Sequence, residues 1–212
     1  MEPQRPLAVA TSTLDGDVLA RLATIDAAVT ASQLTSALSR GSLEGVRRAL
    51  ARLVKQGVVT AAAVGARGQQ YRFNNDHVAA PAIVALARLT EEVQRRFQDL
   101  LRQWEAPPVY AALFGSWATT SASADSDLDV FLVRPREVDA SVWEGQVIQL
   151  QRVATSWTGN DTRAFVLDDD EIESAAVAAD PALAQILREG IALHGDPDAF
   201  RRRVTRAQRG KA

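Results

Sequence analysis

Asp127 and Asp129 stand two residues apart, beside and inside a run that otherwise reads as a buried strand, LDVFLV (128–133). Side chains alternate faces along a strand, so the two carboxylates project to the same side. Held that close they repel, and burying them is costly. A divalent cation removes the cost, and Mg2+ favours carboxylate oxygens combined with substrate phosphates. Upstream, Gly115-Ser116 closes a second apolar run, VYAALF (109–114). Backbone N–H groups at such a turn can hold a phosphate. Paired acids, a cation and a phosphate-holding turn are the parts of phosphoryl or nucleotidyl transfer. A plainer reading is a surface Asp-rich turn, with Asp125 and Ser126 capping local structure. The strand on each side and the preceding Gly-Ser weigh against it.

These residues need elements to position them, and the chain supplies two groups. LDGDVLARLATI (14–25) spaces Leu14, Val18, Leu19, Leu22 and Ile25 as one helical face. TASQLTSAL (30–38) predicts a short helix with Thr30 or Ser32 as its cap. SLEGVRRALARLVKQG (42–57) predicts a third, capped by Ser42, with Val46, Leu50, Leu53 and Val54 as its apolar stripe and Gly57 as its stop. VVTAAAV and QQYRF then read as two strands around the turn GARG (65–68). Residues 79–104 predict one long amphipathic connector helix, ended by Pro107-Pro108.

Charge is distributed unevenly. Residues 1–80 hold nine Lys/Arg against six Asp/Glu, residues 105–180 four against fourteen, and residues 181–212 seven against three. A basic end can approach polyanions, and an acidic middle can collect cations. The 212 residues contain no cysteine, so disulfides and thiolate metal sites are excluded. MEPQRPLAVA lacks the basic start and long apolar run of a secretory leader. No stretch approaches the ~18 apolar residues of a membrane span. A cytoplasmic protein without membrane contact is expected.

Gly115-Ser116, eight intervening residues and Asp125-Ser126-Asp127-Leu128-Asp129 resemble the minimal nucleotidyltransferases of the DNA polymerase beta-like superfamily. LREGIALHGD (187–196) resembles their closing helix and short strand. The resemblance implies an α+β chain whose nucleotidyltransferase domain, residues 105–200, is a mixed sheet flanked by helices. It implies that Asp127 and Asp129 bind Mg2+ or Mn2+ and that Gly115, Ser116 and Ser126 hold a nucleoside triphosphate. The implied reaction moves a nucleotidyl group to a hydroxyl acceptor and releases pyrophosphate; the acceptor is an antibiotic, a nucleic-acid end or a protein.

The sequence departs from that pattern twice. Ala118-Thr119-Thr120 stand where the family shows Ala-Arg-Gly. A third carboxylate normally lies on a later strand, here TRAFVL (162–167), whose interior has no acid and carries Arg163. Asp161, at the entrance of that strand, is the best substitute. Among other candidates, Trp117 adjoins Ser116 and suits base stacking, while His77 and His194 read as structural or surface residues.

Three helices followed by a hairpin resemble the winged helix-turn-helix domain, predicted here over 1–78. In that fold the third helix enters the DNA major groove and the hairpin lies along the backbone. By position, Arg47, Arg48, Arg52 and Lys55 lie on that helix, and Arg67 and Arg72 flank the hairpin. Solvated charges on an amphipathic helix, or a protein-docking module, are the competing readings. RRRVTRAQRGKA (201–212) reads as a mobile basic tail. Alternatives to an active transferase are a nucleotide-sensing transcription regulator and an antitoxin-like binding protein.

Overall fold

The structure is a computed structural model and describes residues 1–65, 68–119 and 121–209. The chain divides into two compact units, Met1–Thr90 and Glu91–Ala212.

In the first unit, α1 (Leu14–Ala23), α2 (Ala31–Ala37) and α3 (Leu43–Lys55) precede an antiparallel hairpin of β1 (Val59–Val64) and β2 (Gly68–Phe73). The caps explain where the helices start. Thr30 Oγ1 accepts from Gln33 N–H at 3.2 Å, while Gln33 Oε1 accepts from Thr30 N–H at 2.8 Å. This reciprocal box satisfies two backbone donors that α2 leaves open. Ser42 Oγ accepts from Gly45 N–H at 3.1 Å and opens α3. Val18, Leu22, Leu34, Val46, Leu50, Leu53 and Phe73 form the core. Val29 pairs with Tyr71 through two backbone bonds and adds an extended segment beside β2. Asp17, 7% exposed, is held by Arg5 at 3.0 Å and Arg40 at 2.7 Å. A carboxylate that buried needs such partners.

The predicted single connector over 79–104 is two helices, α4 (Ala80–Ala87) and α5 (Leu89–Arg102), separated at Arg88. They serve different cores. Ile83 and Val84 pack with the first unit, whereas Phe97 meets Trp157 edge-on in the second, with ring centroids 5.5 Å apart.

In the second unit, β3 (Tyr110–Phe114), β4 (Leu128–Arg134), β5 (Thr162–Asp168) and β6 (Ile191–His194) form one mixed sheet in the order β5-β4-β3-β6. β4 runs antiparallel to β3 and parallel to β5. The parallel pair needs a crossover, supplied by α6 (Ala140–Thr158), which lies against β5. α7 (Glu171–Val177), α8 (Pro181–Glu189) and α9 (Pro197–Arg209) pack on one sheet face, around Tyr110, Phe131, Ile172, Leu183 and Ile186.

The predicted basic tail needs correction. Residues 201–209 continue α9, because Phe200 and Val204, four apart, share a buried face. The Phe200 ring stacks on Tyr110 with centroids 4.2 Å apart. Arg203 donates to Asp169 and to Glu173. Among the described residues no helix is long and apolar enough to cross a membrane.

Candidate functional site

The register of the sheet assembles the site. Phe114, the last residue of β3, is opposite Asp129, and Asp129 is opposite Arg163 on β5. Alternation then puts Asp129, Phe131, Arg163 and Phe165 on one face. Phe131 and Phe165 touch, with centroids 5.6 Å apart, and Phe114 lies 6.3 Å from Phe165. Asp129 therefore sits where a packed aromatic face meets solvent. Burial pushes its carboxyl above the ordinary value, the neighbouring Asp127 charge adds to this, and Arg163 opposes it.

The chain leaves β3 through Gly115, at φ +66°. A Cβ there would come within 2.5 Å of Asp129 Oδ2. Only glycine permits this approach and this backbone conformation together. The turn that follows is a single 3-10 turn, Gly115–Trp117. Ser116, in the same turn, is partly buried, and Trp117 is 3% exposed. Trp117 thus packs the core, and base stacking on it is not available.

The loop that delivers Asp127 is pinned by a residue that sequence reasoning passed over. Asn160, 2% exposed, donates from Nδ2 to the carbonyls of Ala124 and Ser126, both at 2.9 Å. It follows Gly159, whose φ of +74° turns the chain from α6 toward β5. Ser126 Oγ accepts from Ser123 N–H at 2.9 Å, so this hydroxyl shapes the same turn.

Arg163 is the second unforeseen participant. Its Nη1 lies 2.7 Å from Asp127 Oδ2 and its Nε 3.4 Å from Asp161 Oδ2. The side chains of Arg163, Asp161 and Asp127 are 64%, 67% and 34% exposed. Asp161 joins the cluster through its backbone as well, accepting from Leu128 N–H at 2.8 Å. The structure brings Gly115, Asp127, Asp129, Asp161 and Arg163 together. It places no further acid on β5 before Asp168, which pairs with Arg134 at 2.6 Å.

No group of three or more His, Asp or Glu among the described residues is arranged to hold a metal ion. The donor set still suits one: Asp129 on β4 and Asp127 just before it, both partly buried, beside the opening at Gly115 that a Cβ would fill. Mg2+ takes one or two carboxylates when phosphates complete its shell. Asp127 and Asp129 fit an ion that arrives with phosphate.

On α3, Arg47, Arg48, Arg52 and Lys55 are all exposed, opposite buried Val46, Ala49, Leu50 and Leu53. Arg52 is engaged by Asp15 through both carboxylate oxygens. Arg72 on the hairpin pairs with Asp26 at 2.9 Å. Arg67 lies outside the described residues. His77 Nδ1 accepts from Ala79 N–H at 3.1 Å, a local cap, and His194 ends β6.

No protein-family model matches the chain, and no curated protein matches it. Several solved structures resemble it in part. A toxin–antitoxin structure with AMP-PNP is 20% identical over 56% of this chain and 88% of that one, with a TM-score of 0.39. A tri-AMPylated Shewanella oneidensis HEPN toxin in complex with an MNT antitoxin is 17% identical over 57% and 88%, with a TM-score of 0.37. A mutant MntA-HpeT toxin–antitoxin structure is 19% identical over 56% and 88%, with a TM-score of 0.38.

Proposed function

We propose that the second unit is a metal-dependent nucleotidyltransferase that uses a nucleoside triphosphate and a hydroxyl acceptor. The supporting observation is the close approach of Gly115 to Asp129, 2.5 Å from a would-be Cβ to Oδ2, beside the paired Asp127. A backbone that comes this near a partly buried carboxylate admits no side chain between the turn and the acid.

Asp127 and Asp129 hold Mg2+ or Mn2+ in this reading, and Gly115 and Ser116 line the phosphates. When bound, the metal supplies Lewis-acid stabilisation of charge on the α-phosphate. Asp161 accepts the proton of the acceptor hydroxyl, whose oxygen attacks the α-phosphorus as the bond to pyrophosphate breaks. Asn160 holds the Asp127 loop in register for this geometry.

The first unit, in the same proposal, is a winged helix-turn-helix module that presents α3 to duplex DNA or to a protein partner. Arg47, Arg48 and Lys55 on the exposed face of α3 support it.

The Arg163–Asp127 pair favours a second reading, a nucleotide-sensing regulator or antitoxin-like protein that binds without turnover. One experiment separates the two. The protein is incubated with each α-labelled nucleoside triphosphate and Mg2+, alone and with cell lysate. Label appearing on a macromolecule, and absent with Asp127→Asn/Asp129→Asn, supports transfer. Metal-dependent binding with no label transferred to any component supports sensing.

A further inference from the structure

Residues 103–133, which include the Gly115 turn, Asp127 and Asp129, contain no lysine or arginine. A triphosphate entering there meets Asp127, Asp129 and Asp161, and Arg163 is the cation placed among them. Resting on the nucleotidyltransferase reading, we propose that Arg163 is the phosphate-binding residue of this site. Before nucleotide arrives, its guanidinium occupies Asp127, one of the two carboxylates that would hold the metal ion.

Three observations carry this. The β4–β5 register puts Arg163 opposite Asp129, on the face that bears both carboxylates. One guanidinium reaches the acids that immediately precede β4 and β5, with Nη1 at 2.7 Å from Asp127 and Nε at 3.4 Å from Asp161. Asp127, one of the two carboxylates that would hold a divalent ion, is thereby already engaged. Arg163 is also 64% exposed. Exposed ion pairs are weak and pay side-chain entropy to hold one geometry, so exchange of partner costs little.

The planar guanidinium binds carboxylate and phosphate with the same two-pronged geometry. A metal–nucleotide complex offers both halves of an exchange at once. The metal takes Asp127, which Arg163 releases, and the phosphates take Arg163. Free metal offers only the first half and must leave the guanidinium without an anion. Free nucleotide offers only the second and must approach unscreened aspartates. Each ligand therefore assists the other, a reciprocal coupling.

The test uses the full chain and needs no turnover. Mn2+ alone is titrated by calorimetry or by the loss of its free-ion paramagnetic resonance signal. ATP alone is titrated in excess chelator. Wild type is compared with Arg163→Ala, Arg163→Gln and Arg163→Lys, each checked for a native melt; the exposed position and three different replacements guard against misfolding. Arg163→Ala and Arg163→Gln should bind Mn2+ about tenfold more tightly, the scale of one charge contact near a surface, and metal-free ATP about tenfold more weakly. Arg163→Lys should stay near wild type for Mn2+ and lose part of the ATP affinity. Either affinity left at its wild-type value in both neutral variants overturns the inference. Asp129→Asn is run beside them with Mn2+ and ATP together. If it abolishes that binding while the Arg163 variants match wild type, this inference fails alone. If Asp129→Asn also binds as wild type does, the nucleotidyltransferase reading fails with it.

Discussion

Gly115 approaches Asp129 so closely that any side chain at 115 would enter the carboxylate's space, with a Cβ only 2.5 Å from Oδ2. The backbone φ of +66° makes the same demand independently. Gly115→Ala should therefore lose about 1–3 kcal/mol of stability through strain and displace Asp129. Thermal melts and calorimetry with Mn2+ and ATP check both effects. A variant with wild-type melt and affinity would contradict the described turn.

Asp129 should be a stability liability at neutral pH. Its carboxyl lies above the ordinary 3.8 because burial and Asp127 disfavour the charge, with Arg163 partly offsetting. A raised acid binds its proton more tightly folded than unfolded, so folding gains as pH falls and is penalised above the folded pKa. Asp129→Asn should then melt higher than wild type at pH 7 in chelator. The advantage should shrink as pH drops and vanish below about 3.8, where the unfolded carboxyl is also protonated. An equal gain at every pH would mean that side-chain charge is not the cause.

Asn160→Ala removes the donor shared by two loop carbonyls. Losing a buried partner costs about 1–3 kcal/mol, and the segment carrying Asp127 loses its anchor. Weaker Mn2+–ATP binding is expected alongside the lower melt. Asn160→Asp should fail equally, because an ionised carboxylate cannot donate. Full rescue by aspartate would show that side-chain volume, and not donation, fixes the loop.

DNA binding by α3 is best probed at Arg47 and Arg48. Arg52 is a poor probe, since reversing it would set a second carboxylate against Asp15. Arg47→Glu/Arg48→Glu should weaken binding to any duplex and flatten the slope of log affinity against log salt by about 1.8, the value for two lost phosphate contacts. Gel shifts starting near ~50 mM salt, where non-specific binding is strong, measure this. If the wild type shifts no duplex there, protein docking replaces the DNA role.

The aspartate pair and Gly115 were legible because their logic is local. A period of two fixes which acids share a face, and Gly-Ser after an apolar run marks a turn. Arg163 was visible as the residue standing where an acid was expected, but its partner was not. Which β5 residue faces Asp129 depends on a parallel register set across the whole of α6. Asn160 between Gly159 and Asp161 looks like ordinary turn chemistry, and only burial distinguishes it. The break at Arg88 had no glycine or proline to announce it. In α9 the run of arginines drew attention from the spacing of Phe200 and Val204, which carried the helical signal.

The position of α9 in chain order has a consequence for biosynthesis. β3 is made early within the second unit, yet one neighbour strand, β6, and the ring that stacks on Tyr110, Phe200, are made some eighty residues later. During translation the first unit has all its elements and can fold as it emerges. The acidic sheet cannot: α7 and α8 cover part of its apolar face, and the rest stays open until residues 191–204 leave the ribosome. In that interval the nascent chain exposes Tyr110, Ala112 and Phe131 beside unpaired strand edges, the condition in which chaperones bind and neighbouring nascent chains associate.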